Sequence, residues 1–128
     1  MQPSIKKIVV DDNYKISTFQ HEFNLIFPYL KIEFFSTANK QGELMINKFT
    51  SENERLLKGY RNTHNEETII ITPETTVASL EEKFNTIYGL GTQVLRKSGK
   101  IWLETTVTDT WTLEEQNHQG EALSKNIN

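Results

Sequence analysis

The chain of 128 residues contains no cysteine, which excludes a disulfide framework, a thiolate zinc site and a cysteine nucleophile together. No stretch approaches the ~20 consecutive apolar residues of a membrane span. The start, Met1-Gln2-Pro3-Ser4, passes through Lys6-Lys7 into a short apolar run and not into the longer one of a signal peptide. A cytoplasmic, bacterial protein without a membrane partner is therefore expected. An excess of one charge is missing too: 14 basic and 17 acidic side chains give a net charge of -3, so no global field draws the chain to nucleic acid. Glycine-rich phosphate loops are absent, since Gly89-Leu90-Gly91 follows a helical pattern instead of opening one. No Gly-x-Ser-x-Gly elbow surrounds a serine.

What is present is enough for one core. Apolar residues make up 36% and charged residues 24%, a polar but globular mixture outside the disordered range. Ile8-Val9-Val10 reads as a buried strand closed by the turn-forming Asp11-Asp12-Asn13. Ile16, Phe19, Phe23, Ile26 and Phe27 mark one face of a helix that Pro28 stops. Leu30, Ile32 and Phe34 alternate as a second strand, and Leu44-Met45-Ile46 follows the polar turn from Thr37 to Gly42.

The second half repeats this order. Ile69-Ile70-Ile71 is a strand that answers to Ile8-Val9-Val10, and a second helix stripe follows it. Val77 answers to Ile16, Leu80 to Phe19, Phe84 to Phe23, Ile87 to Ile26 and Tyr88 to Phe27, all at the same offset as the strands. Gly89 and Gly91 shift the next strand by one position, Gln93 to Arg96 forms it, and Ile101 to Val107 returns as a hairpin after Lys97-Ser98-Gly99. Polar stretches ending at Gly59 and Gly120 close the two halves, again at that offset.

The expected fold is thus α+β, a single domain over 1–128 made of two similar βαββ units, about 5–64 and 66–120. A right-handed crossover would place strands one and two of each unit parallel, with the returning strand between them, giving a mixed sheet with both amphipathic helices on one face. Residues 121–128 are expected to fray.

Candidate chemistry is sparse. His21, His64 and His118 lack a second ligand at metal spacing, so neither a metal nor another cofactor is expected. Asp11-Asp12 after an apolar strand resembles the acidic pair of bacterial response-regulator receiver domains, but the strand that would carry the phosphoryl acceptor ends in Thr72-Pro73, and the remaining aspartate is Asp109. Asp11 and Asp12 read as turn and helix-entry residues. The paired modules also resemble the glyoxalase and bleomycin-resistance superfamily, whose strand-borne His and Glu ligands have no equivalents on the strands at 5–10 and 68–71.

The most distinctive segment carries Arg96, Lys97, Ser98 and Lys100 in a basic turn, with Trp102 and Trp111 flanking a threonine-rich strand. Such a cluster suits a carboxylate, a phosphate or a nucleic-acid backbone, and equally a solvated hairpin tip whose cations discourage edge pairing. Asp109 or Thr110 is a natural N-cap before Trp111 to Asn117. The run Arg96-Lys97-Ser98-Gly99, Trp102-Leu103, Thr108-Asp109, Trp111-Thr112-Leu113 and Gln116-Asn117 resembles a family of small Bacteroidetes proteins with no assigned activity. That resemblance implies a lineage and no catalytic residue.

Two functions stay open. One is a non-catalytic protein-binding or assembly module, contacting a protein partner or another copy of itself through Arg96, Lys97, Ser98, Lys100, Trp102, Asp109 and Trp111. The other is an enzyme or small-ligand binder with a pocket between the halves, drawing on Asp11, His21, Glu33 and Glu104. Nucleic-acid binding is disfavoured by net charge and by the lack of an aromatic stacking row.

Overall fold

β-Branched triplets form the shortest strands, Ile8–Val10 (β1) and Ile69–Ile71 (β3), with the outer residues of each buried and the middle one exposed. The computed structural model describes residues 7–36, 57 and 68–125. The expected strand at Leu44-Met45-Ile46, the turn at Thr37 to Gly42 and the link around His64 lie outside them. The helices Ile16–Ile26 (α1) and Val77–Tyr88 (α2) bury the stripes that the 3.6-residue spacing marks. Leu30–Ser36 (β2), Leu90–Ser98 (β4), Ile101–Glu104 (β5) and a third helix, Leu113–Lys125 (α3), complete the described chain. Among the described residues, three helices and two antiparallel sheets make this an α+β fold around an apolar core.

The strands do not form the expected mixed sheet. β1 pairs antiparallel with β3, while β2, β4 and β5 form a separate antiparallel sheet in that order. The physical reason lies in ladder length. β1 is a mere triplet, whereas β4 meets every residue of β2 from Leu30 to Ser36, and each paired residue satisfies main-chain groups that would otherwise be stranded.

One pair of the shorter ladder falls at the sequence offset. Val9 lies opposite Ile70, its counterpart in the second half, so Ile8 faces Ile71 and Val10 faces Ile69. In the second sheet Ile32 lies opposite Val94 and Glu33 opposite Gln93, separations that fall on either side of that offset. Each helix touches the strand that follows it at matching positions. The Gln20 Nε2 of α1 donates to the Ile32 carbonyl at 3.0 Å, and Glu81, which corresponds to Gln20 in α2, accepts from the Val94 amide. The Leu57 amide donates to the Tyr14 carbonyl at 2.9 Å, as the Leu113 amide does to the Thr75 carbonyl at 2.8 Å. Leu57 and Leu113 lie closer together in sequence than the offset requires, so the alignment of Gly59 with Gly120 is out of step with the contacts.

Helix ends follow local chemistry. Gly89 closes α2 with φ of 67° and donates back to the Asn85 carbonyl at 2.9 Å, a left-handed cap that a side chain disfavours. α3 begins at Leu113, with the Thr112 hydroxyl accepting from the Glu115 amide at 3.1 Å, so Thr112 is the cap and neither Asp109 nor Thr110. The helix also runs through the supposed frayed tail as far as Lys125, whose ammonium meets Glu121 at 2.7 Å. α2 and α3 close each other's first turns. The Val77 and Ala78 amides donate to the carbonyls of Trp111 and Asp109 (3.1 and 2.8 Å), and the Leu113 and Glu114 amides donate to those of Thr75 and Pro73 (2.8 and 3.0 Å). Orphan amides of both helices are thereby satisfied.

Candidate interaction surface

The hairpin of β4 and β5 turns at Gly99 and Lys100, not at Lys97-Ser98-Gly99, with Ser98 paired to Ile101. Gly99 takes φ of 64°, and among the described residues only glycines have a positive φ. A positive φ at the first turn residue and a negative one at the second is the II′ pattern, for which glycine is suited. The Gly99 amide also donates to the Ser124 hydroxyl of α3 at 3.1 Å.

Because successive strand residues point to opposite faces, the three-stranded sheet separates its side chains cleanly. Leu30, Ile32, Phe34, Leu90 and Val94 point into the core. Lys31, Glu33, Gln93, Leu95, Lys97, Trp102 and Glu104 occupy the other face, where none is fully buried. Lys97 lies opposite Trp102. From the far strand the Lys31 ammonium reaches the Trp102 ring, 5.0 Å from its centroid, and lies 3.6 Å from Glu33. A cation over an indole at such a half-exposed site contributes about 0.5–1 kcal/mol.

The seven candidate residues consequently divide. Lys97 and Trp102 share the outer face, Lys100 is exposed at the turn, and Ser98 is half-buried at the end of β4. Arg96, Trp111 and Asp109 serve the interior instead. The Arg96 guanidinium packs over Trp111, 5.6 Å from the ring centroid, and its Nη1 donates to Gln116 Oε1 at 2.8 Å. The Asp109 and Trp111 carbonyls accept from the start of α2. The basic turn is therefore not a three-cation cluster: one of its cations is an internal strut.

Gln116 is the residue that sequence reasoning missed. It is fully buried on α3, and its Nε2 donates to both the Thr108 carbonyl at 2.7 Å and the Thr108 hydroxyl at 2.9 Å. Polar side chains reach such positions when their bonds are met. Its spacing from Leu113 and Gly120, both buried, is the only trace it leaves in the sequence.

Where β5 ends, β4 is finished by side chains. The Thr105 hydroxyl donates to the Val94 carbonyl at 2.8 Å, and the Glu81 carboxylate accepts from the Val94 amide. Burial, opposed by that hydrogen bond and assisted by the nearby charge of Asp109, pushes the Glu81 pKa up to about 7. A carboxyl that holds its proton more tightly when folded stabilises the fold most at low pH. That contribution is lost as pH rises from about 4.5 to about 7. Glu81→Gln, which installs the residue type of Gln20, should remove the effect. Relative to the native chain the variant should gain about 1 kcal/mol between pH 5 and pH 8, a modest figure because the site is half-exposed. Urea denaturation at the two pH values measures this, and a parallel fall in both proteins would mean that another group titrates.

The polar groups of the alternative pocket are scattered. Asp11 sits in the turn after β1, where its carboxylate accepts from the Asn13 amide at 2.9 Å, and His21 is exposed on α1. Glu33 and Glu104 lie on the outer sheet face. Among the described residues no group of three His, Asp or Glu side chains could hold a metal ion, and no helix is long and apolar enough to cross a membrane. No protein-family model matches the chain, and no curated protein or solved structure matches it either.

Proposed function

We propose that this chain is a non-catalytic protein-binding or assembly module that works through the β4–β5 hairpin. The observation carrying this reading is the concentration of accessible cationic, aromatic and aliphatic surface there. Lys97, Trp102 and Lys31 form a cation–aromatic row on the outer sheet face, and the neighbouring edge strand β5 leaves Ile101 and Leu103 59% and 37% exposed. Tryptophan is enriched at protein interfaces and among the residues that dominate their binding energy. Three further candidates, Arg96, Asp109 and Trp111, contribute by holding the hairpin against α2 and α3.

Affinity capture with the tagged chain tests this, with Lys97→Ala/Trp102→Ala set against Lys83→Ala, a substitution on the exposed face of α2. Proteins retained by the native chain and by Lys83→Ala should fall at least tenfold with the double variant, while its circular dichroism stays native. If the double variant retains every partner at native levels, the hairpin is not the working surface.

A further inference from the structure

We infer that the hairpin's partner is a second copy of this chain, added antiparallel along β5 with Trp102 on the two-fold axis. This rests on the reading of the hairpin as a protein-binding surface and goes beyond it by fixing the partner and the register.

The direction of the main-chain groups comes first. The Lys97 amide donates to the Tyr29 carbonyl at 2.9 Å, so Lys97 points its main-chain groups toward β2, and its neighbours Arg96 and Ser98 point theirs toward β5. Their partners Leu103 and Ile101 turn their own amides and carbonyls toward β4. By the alternation of an antiparallel ladder, Trp102 and Glu104 aim theirs outward. Among the described residues no strand pairs with that edge. An open edge of this kind is a template for another strand.

The sequence of the edge then selects its partner. Lys100-Ile101-Trp102-Leu103-Glu104 is complementary to itself when run antiparallel. With Trp102 facing Trp102 of the second copy, Ile101 faces Leu103 and Lys100 faces Glu104, each twice. The outward-pointing groups of Trp102 then meet one another, as a hydrogen-bonded pair requires. Opposite charges and aromatic or aliphatic pairs directly across a ladder are the favourable combinations. Shifting the axis to Leu103 sets Glu104 against Trp102 and Lys100 against Thr106. Moving it to Ile101 sets Lys100 against Trp102 and Leu103 against Gly99. Lys100, which would guard the edge against an unrelated strand, is matched by Glu104 in the Trp102-centred register and in neither of these. The exposed Ile101 and Leu103 are covered in the same step. A strand this short buries less than the ~1,200 Å² of a standard interface, so dissociation is expected between roughly 10 µM and 1 mM.

The absence of cysteine makes the register directly testable. Ile101→Cys and Leu103→Cys would lie opposite each other across a non-hydrogen-bonded pair, about 4.5 Å between Cα atoms and within disulfide reach. Under mild oxidation an equimolar mixture should cross-link at least tenfold faster than either variant alone. In sedimentation velocity up to ~1 mM, Lys100→Glu and Glu104→Lys should each weaken the dimer at least threefold, and the doubly exchanged chain should recover it. A chain that stays monomeric throughout, or single variants that cross-link as fast as the mixture, would overturn self-pairing. If a different protein is then captured in a manner sensitive to Lys97→Ala/Trp102→Ala, the broader reading of the hairpin survives. Should neither the dimer nor such capture be found, both fall.

Discussion

Replacing Gln116 by leucine is expected to lower the stability of the fold by about 3 kcal/mol, or roughly 10 °C in Tm. The side chain is fully buried and bonded to partners on two other segments, Arg96 of β4 and Thr108 before α3. Leucine fills a comparable volume but removes one of the two donors to the Thr108 carbonyl, which keeps the Trp111 amide at 3.0 Å, and it leaves the inward end of a guanidinium without its acceptor. An unpaired buried polar group costs about 1–3 kcal/mol, and more when it is charged. Coupling separates this mechanism from a packing defect. Arg96→Met combined with Gln116→Leu should cost at least about 1 kcal/mol less than the sum of the two single changes, because removing both partners removes the unpaired guanidinium. Strict additivity in urea denaturation would show that the two side chains act independently.

Phe84→Ala should cost about 3–5 kcal/mol, equivalent to roughly 15 °C in Tm. Its ring joins the two helices and the larger sheet, with centroids 5.3 Å from Phe19 of α1, 5.1 Å from Phe34 of β2 and 6.0 Å from Tyr88. Three aromatic neighbours cannot all relax into one vacated volume, so the cavity persists and their edge and tilted contacts are lost. Leu25→Ala is the comparison. That leucine is 65% exposed on α1, and its loss should change stability by less than about 0.5 kcal/mol. Thermal unfolding followed by far-ultraviolet circular dichroism checks both, and equal losses would place the packing centre elsewhere.

The helices and the short strands were legible because their signals are periodic and local. Ile16, Phe19 and Phe23 in α1 and Val77, Leu80 and Phe84 in α2 are buried, as a helix stripe against a core demands. Strand partners are not local. Nothing within Leu30 to Ser36 says whether it runs beside its own half's first strand or beside β4, and ladder length across the whole chain decides that. The shared outer face of Lys97 and Trp102 follows from strand alternation once their pairing is known, whereas a long side chain that turns inward leaves no such mark. Arg96 shares the core-facing side of β4 with buried Val94, yet a single arginine beside two lysines reads from composition as part of a surface. Its partner Gln116 carries no pattern of its own beyond a helical spacing in a polar segment. Among the described ladders one pair, Val9 and Ile70, stands at the constant offset between the halves. That offset failed at Leu57 and Leu113, which make matching contacts at a shorter separation.

The reciprocal closure of α2 and α3 has a consequence for how the molecule opens. An isolated helix frays at its amino end because those amides have no carbonyl within the helix. Here the first amides of each helix are held by the lead-in of the other, far away along the chain. Neither end can loosen alone. In native-state hydrogen exchange, the amides of Val77, Ala78, Leu113 and Glu114 should therefore become exposed in a single opening event with a shared free energy and a shared dependence on denaturant. The start of α2, the segment from Thr105 to Thr112 and the start of α3 form one cooperative unit, although the chain visits β4 and β5 in between.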